Sequence, residues 1–165
     1  MMSRAPEDVA SLGWNPRHIG EIDHRQLKAP SIKLRAAIPC PGGDTIYCVD
    51  LRVCRPNTDS LLELGAAHSL EHFLLEGFQQ RLPGGFVSVG LMGCQTGFYL
   101  VLLNEGRRQI IEDCVERILH GILAAEHVPY ANLAQCGNWV NHDPSAAKRV
   151  ARKLLAERAV WREVT

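Results

Sequence analysis

Two histidines and a glutamate stand close together in the segment His68-Ser69-Leu70-Glu71-His72. The apolar residues between positions 61 and 80 are interrupted by no proline, and their spacing predicts a helix across this range. On a helix His68 and His72 are one turn apart, so both imidazoles can bind one cation, and Glu71 lies on nearly the same side. Two neutral imidazoles and a nearby carboxylate suit a divalent transition metal, with the carboxylate free to transfer protons.

The histidine motif alone leaves several explanations open. A pair at this spacing is often a surface or helix-capping feature, and three fixed positions in five residues occur by chance in many chains. The pattern H-x-x-E-H also occurs in metallopeptidases of the inverted-zincin type, which take a downstream glutamate as a third ligand. The choice between these explanations depends on the rest of the chain.

Two of the six cysteines occur in sequence surroundings that suit a reactive thiol or a metal ligand. Cys94 lies between glycines in residues 92–97, where a bend exposes side chains and lets a ligand approach; a small buried thiol at a turn is an equally good explanation. Cys136 lies in a polar, irregular segment, which makes it a better third metal ligand than the other cysteines. A set of His68, His72 and Cys136 leaves a fourth position open, as a catalytic metal site requires.

The remaining candidate residues are less distinctive. Arg52 lies in an otherwise apolar strand, so its charge needs a partner or an anionic ligand, unless the side chain simply faces solvent. Four cysteines are predicted to be packing residues: Cys40, Cys48, Cys54 and Cys114. Four histidines have no ligand spacing and are predicted to be exposed or hydrogen-bonded: His18, His120, His127 and His142.

Composition favours a soluble globular protein of one domain. The chain has 165 residues, of which 46% are apolar and 22% charged. Basic and acidic residues number 18 each, so no net field favours nucleic acid or an anionic membrane. Because the N-terminus lacks the apolar core of a signal peptide and no apolar run is long enough to span a bilayer, we expect a cytoplasmic protein with reduced thiols.

The strands and helices predicted from the sequence, which must position these candidate residues, indicate an α+β fold. Residues 1–20 read as an irregular N-terminal arm, followed by one metalloenzyme domain over 21–165. Period-two alternation and β-branched residues predict strands at 32–36, 45–54, 86–89 and 98–103, and apolar periodicity predicts further helices at 107–126 and 144–158. Strands and helices do not alternate regularly, which predicts a single-domain layered sandwich, a largely antiparallel sheet with helices packed on one face.

From about Glu21 to about Arg158, the sequence resembles the S-ribosylhomocysteine lyase (LuxS) family in the order and spacing of its motifs. The resemblance is carried by several blocks in register: Asp23-His24, Lys28-Ala29-Pro30, Gly43-Asp44, residues 50–54 with Pro56-Asn57, residues 68–72, residues 92–99 and residues 135–137. Several blocks in register are far more specific than H-x-x-E-H alone. The chain is therefore identified as a member of this family.

The resemblance implies one divalent metal per subunit, iron(II) or zinc, bound by His68, His72 and Cys136 with an exchangeable water. It implies that Cys94 and Glu71 are the acid–base pair.

It also implies that His24 and Arg52 bind substrate in a homodimer whose active sites lie at the subunit interface. The implied reaction moves a carbonyl along the opened ribose of S-ribosylhomocysteine and then eliminates homocysteine. The other product is 4,5-dihydroxy-2,3-pentanedione, the autoinducer-2 precursor used in quorum sensing.

The chain departs from the family pattern near the substrate-binding residues. Ile19 and Gly20 stand where the family has a serine and a phenylalanine, and Ser88 stands where it has an aspartate. Gly90-Leu91 replaces a serine and a proline. Two alternatives therefore accompany the lyase prediction: a LuxS-like lyase or isomerase with altered substrate specificity, and a noncatalytic metal-binding homologue.

Overall fold

The computed structural model describes residues 8–165, so residues 1–7 of the expected arm lie outside the described part. The described elements follow one another as β1 Ser31–Pro39, β2 Thr45–Arg52, α1 Leu64–Arg81, β3 Phe86–Leu91, β4 Gly97–Leu103, α2 Arg108–Ala124 and α3 Pro144–Ala156. Single turns of 3-10 helix occur at Pro16–His18 and Arg158–Val160. No helix in this part of the chain is long and apolar enough to cross a membrane.

The four strands form one antiparallel sheet in the order β1-β2-β4-β3. Because side chains alternate along a strand, paired residues make rows across each face of the sheet. One row, Leu34, Val49, Leu100 and Val89, is buried in the core. The helices pack against this face, which confirms the predicted α+β arrangement.

The opposite face of the sheet carries polar residues instead. Lys33 pairs with Asp50, Asp50 with Tyr99, and Tyr99 with Gly90, so these four form one row across all four strands. Lys33 and Asp50 are buried, although the helices described for residues 8–165 pack on the other face of the sheet. Charged groups are therefore concentrated on the face that the helices leave uncovered.

Helix α1 is the central helix of the layer, since it contacts β3, α2 and α3. Its buried residues are spaced at three and four positions, as an amphipathic helix requires. Gly77 faces α2, where an added Cβ would lie 2.7 Å from Cδ1 of Ile118. The absence of a side chain at this position lets α1 and α2 approach closely.

Several element ends differ by a few residues from the sequence-based prediction, and two of these differences depend on the bend before β4. Helix α1 begins at Leu64 rather than 61, since the backbone N–H of Leu62 is held by the Gln95 carbonyl. Strand β2 ends at Arg52 rather than 54, because the N–H groups of Val53 and Cys54 both donate to Thr96 O.

The described part of the arm packs onto the domain. Trp14 is buried in the core, and its indole N–H donates to Gly106 O at 2.7 Å. The guanidinium of Arg108 lies over its ring. The proposed boundary between an arm and a domain at residue 20 stays a prediction.

Candidate functional site

Four potential metal ligands meet where α1 faces the segment between α2 and α3. The ligand atoms of His68, His72, Cys136 and His142 all lie within 4.8 Å of one another. The first two residues come from consecutive turns of α1, as the sequence predicted, and the other two come from the α2–α3 segment. His72 is buried and the other three are half-buried, so the cluster is sheltered from water without being sealed off.

The α2–α3 segment is held in place by local hydrogen bonds. Asn132 is the centre of a tight turn, because its carbonyl accepts from the N–H of Cys136 and its side chain bonds Ala134 and Gln135. At the other end Asp143 caps α3 by accepting from Ala146 N at 2.8 Å. Cys136 is therefore held by the turn at Asn132, and His142 by the start of α3.

The hydrogen bonds of His68 and His72 determine which ring nitrogen is free. His68 Nδ1 lies 2.8 Å from Asn141 O, and His72 Nδ1 lies 2.7 Å from Pro129 O. A carbonyl can only accept, so both Nδ1 atoms carry a proton and both Nε2 atoms present a lone pair. This is the usual arrangement of metal-binding histidines, whose second nitrogen donates to a fixed acceptor.

The distances also suit a metal. Cys136 Sγ lies 3.4 Å from His68 Nε2. A tetrahedral ion with ordinary Zn–N and Zn–S bonds places the nitrogen and sulfur about 3.5 Å apart. The predicted set of His68, His72 and Cys136 therefore fits zinc or a similar divalent ion such as iron(II).

His142 is the member of the cluster that sequence analysis missed. Its Nε2 lies 3.7 Å from Cys136 Sγ, and its ring stacks on His68 with centroids 4.0 Å apart. Loss of hydration on burial, together with the neighbouring His68 and His72 imidazoles, lowers the pKa of His142 to about 4. The ring is therefore neutral near pH 7, as a ligand must be.

Cys94 is exposed at the bend between β3 and β4, which favours the first of the two explanations that the sequence left open. Its Sγ lies 3.0 Å from the hydroxyl of Thr96. Burial works to raise the pKa of the Cys94 thiol, but hydrogen bonds from Thr96 and the charge of Arg52 outweigh it and bring the pKa below its ordinary value. The surroundings therefore favour the thiolate, which is the reactive form.

Arg52 has the ionic partner that its strand position required. Its side chain is almost fully buried, and Nη2 lies 2.5 Å from Oδ2 of Asp50. Nη1 donates to the Thr96 hydroxyl, which connects this ion pair to Cys94. The alternative that Arg52 simply faces solvent is wrong.

A polar pocket opens on the helix-free face of the sheet beside this ion pair. His24, Lys33 and Tyr99 line it together with Asp50 and Arg52. Among residues 8–165, Asp50 Oδ1 and Arg52 Nε are buried and have no hydrogen-bond partner. An unpaired buried polar group costs about 1–3 kcal/mol of folding free energy. A ligand that donates a hydrogen bond to Asp50 Oδ1 and accepts one from Arg52 Nε would therefore bind favourably here.

Glu71 lies on α1 with His68 and His72, and its side chain reaches β3. Its carboxylate accepts a hydrogen bond from the backbone N–H of Leu91 at 3.3 Å, and Leu91 precedes Cys94 by three residues. The structure therefore brings the metal-ligand candidates together. Separately, it places Arg52 beside His24 in the polar pocket and connects Arg52 to Cys94 through the Thr96 hydroxyl. The hydrogen bonds of Cys94 described for residues 8–165 do not reach the histidine cluster.

Comparison with known proteins gives one consistent result. The family model described as S-Ribosylhomocysteinase (LuxS) matches residues 20–165. An S-ribosylhomocysteine lyase of Dichelobacter nodosus (strain VCS1703A) is 43% identical over 163 residues, which cover 99% of each chain. The S-ribosylhomocysteine lyases of Halobacillus halophilus and Chromohalobacter salexigens are 40% and 37% identical over 143 residues, 87% of this chain and 93% and 91% of theirs.

The environment of Cys94 predicts how its thiol titrates. Thr96→Val removes the hydroxyl that stabilises the thiolate, so the pKa of Cys94 should rise and alkylation by iodoacetamide should begin at higher pH. Mass spectrometry of the modified peptide separates Cys94 from the other five cysteines. Thr96→Ser keeps the hydroxyl and should titrate as the wild type does. Equal profiles for the valine and serine variants would contradict this account.

Proposed function

The chain belongs to the S-ribosylhomocysteinase (LuxS) family, and we propose that it is a metal-dependent lyase that converts S-ribosylhomocysteine into homocysteine and 4,5-dihydroxy-2,3-pentanedione. The observation that carries the proposal is the convergence of His68, His72 and Cys136, with Glu71 on the same helix. Similarity to lyases over nearly the whole chain supports the same reaction class. The cytoplasmic location and the role in making an autoinducer-2 precursor stay predictions.

His68, His72 and Cys136 would bind one divalent ion, iron(II) or zinc. When bound, the ion would supply Lewis-acid chemistry, which polarises a sugar carbonyl and acidifies the neighbouring carbon. The protein's own contribution is orientation, since the carbonyls of Asn141 and Pro129 fix both imidazoles with Nε2 toward the site. Little rearrangement is then needed to complete the ligand set.

Cys94 and Glu71 are proposed as the two proton carriers. Migration of a carbonyl removes a proton from one carbon and returns one to its neighbour, and β-elimination removes a further proton as the thiol leaves. Cys94 is suited to accept a proton because Thr96 and Arg52 favour its thiolate. Glu71 is held at the edge of β3 by the N–H of Leu91, where it can carry protons on a second side of the substrate.

His24 and Arg52 are proposed to hold the substrate. Both line the polar pocket, and Arg52 also connects the pocket to Cys94 through the Thr96 hydroxyl. A sugar hydroxyl can donate to Asp50 Oδ1 and accept from Arg52 Nε, the two buried atoms that lack partners. The pocket therefore suits the hydroxyl-rich part of an opened ribose.

We also propose that two copies of the chain form the active unit. Apolar side chains near Cys136 are exposed, with 82% of Leu133, 71% of Val140 and 43% of Trp139 accessible. An exposed apolar group of this kind is typical of a protein interface. A second copy that covers this apolar group would shelter the metal site. It could also supply its own Cys94, because the hydrogen bonds of Cys94 described within one chain do not reach the histidine cluster.

The alternative functions are weighed by the positions at which the chain departs from the family pattern. Gly20 has φ +80°, a left-handed conformation in which a phenylalanine would be strained, so the local backbone differs from one built for the family residue. Ser88 is exposed on β3. These positions favour a lyase or isomerase with altered specificity as the second candidate. The metallopeptidase alternative is weaker, because the ligand cluster described here contains Cys136 and His142 and no downstream glutamate.

The lyase proposal is tested by release of homocysteine. Protein purified without oxygen and loaded with iron(II) or cobalt(II) should release homocysteine from S-ribosylhomocysteine, measured by mass spectrometry. Cys94→Ala should slow release by about 10²–10⁴-fold, the usual effect of losing an acid–base group. Cys40→Ala, in the β1–β2 turn, is the matched control and should remain active.

The outcome also separates the alternatives. No release from folded, metal-loaded protein would contradict the lyase proposal. If release is slow, Ile19→Ser and Ser88→Asp should accelerate it under the altered-specificity alternative, and a lack of acceleration would count against that alternative. Gly20 is left unchanged in this series because of its backbone conformation.

The dimer proposal is tested by sedimentation velocity. Val140→Asp places a charge in the exposed apolar group and should shift the protein from dimer toward monomer, since burying an unpaired charge is unfavourable. His120→Asp introduces a charge on the exposed face of α2 and should leave the dimer intact. A wild-type protein that sediments as a monomer throughout the micromolar range would contradict the proposal.

A further inference from the structure

We propose that a cavity beside α3 binds a small ionised carboxylic acid, with the apolar tail of the acid inside the cavity and its carboxylate at the mouth. The cavity has a volume of about 220 Å³ and lies between the segment that joins β2 to α1 and one face of α3. It shares no residue with the polar pocket beside Asp50 and Arg52 or with the metal-ligand cluster. The proposal therefore stands independently of the proposed lyase activity.

Most of the cavity lining is apolar. The apolar residues that line it are Val53, Leu61, Leu62, Ala66, Ala146 and Val150. Cys54 is buried in the same lining, and burial raises the pKa of its thiol, so the thiol carries no charge near pH 7. Water finds few hydrogen-bond partners in such surroundings, whereas an aliphatic chain is favoured by the hydrophobic effect.

Two cations stand at the mouth of the cavity. Arg149 and Lys153 both line the cavity and are exposed, and they lie four residues apart on one face of α3. The ion pairs described for residues 8–165 include neither side chain. Like charges at this spacing destabilise a helix, so an anion bound between the two side chains would be stabilised.

The charge of the lining selects an anion. Glu63 is the one acidic residue among those that line the cavity. It directly precedes α1, and the positive end of a helix stabilises a carboxylate at this position. The lining residues carry two positive charges and one negative charge, which leaves one positive charge unbalanced. A monoanion balances this charge, whereas an amine would add to it.

The size of the cavity limits the length of the acid. Pockets of about 300–1,000 Å³ bury drug-sized ligands, so a volume of about 220 Å³ suits a chain of a few carbon atoms. Hexanoate is therefore a suitable probe. A ligand with about eight non-hydrogen atoms reaches millimolar to micromolar dissociation constants at typical ligand efficiencies.

An occupant of the cavity would contact both α1 and α3. Ala66 follows Gly65, whose carbonyl accepts from Asp143 N, and Ala146 N donates to the Asp143 side chain. Ala66 and Ala146 both line the cavity. The acid would therefore pack beside the contact that ties α3 to α1, and its binding should raise the Tm because it favours the folded state.

Isothermal titration calorimetry of the metal-loaded protein tests the proposal, with hexan-1-ol and hexylamine as probes of the same chain length. Hexanoate should bind about tenfold more tightly than either. The double variant Arg149→Gln with Lys153→Gln should lose roughly ten- to a hundredfold in affinity for hexanoate, the usual effect of losing charge-assisted hydrogen bonds. The matched control, Lys148→Gln with Arg152→Gln, removes two charges from the same helix at positions that do not line the cavity and should bind as the wild type does.

Alkylation of Cys54 locates the bound acid. Saturating hexanoate should slow its reaction with N-ethylmaleimide, measured by mass spectrometry of the modified peptide, and should leave Cys114, a buried cysteine of α2, unchanged. Hexanoate bound to the metal instead would leave Cys54 unprotected and would bind equally well to the Arg149 and Lys153 variant, which would overturn the proposal. Equal affinity for hexanoate and hexan-1-ol, equal losses in the two double variants, or no binding of hexanoate at millimolar concentration would also overturn it. Far-UV circular dichroism checks that each variant is folded.

Discussion

The metal-ligand cluster depends on one contact, between the first turns of α1 and α3. The N–H of Asp143 bonds both Gly65 O and the Ser69 hydroxyl, which ties the start of α3 to the helix that carries His68 and His72. A Cβ at position 65 would lie 3.3 Å from Asp143 Cβ, so a side chain there would make the neighbouring residue shift by a few tenths of an ångström. All four ligand candidates are positioned by this contact and by the turn at Asn132.

The second group of residues depends on a buried charge pair on the sheet face without helices. Asp50 and Arg52 are almost fully buried, and in the described part of the chain each retains one polar atom without a hydrogen-bond partner. Unpaired buried polar atoms are destabilising, so their presence beside a pocket indicates a binding function better than a structural one. The same arginine lowers the pKa of Cys94, so one ion pair contributes both to the pocket and to the thiolate.

Much of this arrangement could be predicted from sequence, for identifiable reasons. Helical periodicity gave α1, and the four-residue spacing of its histidines follows from helix geometry. Cys136 was identifiable from its polar surroundings and from the resemblance to a family. His142 could not be found by spacing, since five residues of irregular backbone separate it from Cys136 and no periodicity relates their side chains. The one available signal was Asp143-Pro144, which predicts a helix start and hence a fixed position for the preceding residue.

The central claim is that His68 and His72 share one metal ion with Cys136, and X-ray absorption at the metal edge tests it most directly. Protein purified without oxygen and loaded with zinc should show one sulfur neighbour at about 2.3 Å together with nitrogen neighbours at about 2.0–2.1 Å. In Cys136→Ser the metal should be lost on dialysis, and any metal bound before dialysis should show no sulfur neighbour. A wild-type spectrum with only nitrogen and oxygen neighbours, or unchanged binding by Cys136→Ser, would contradict the account.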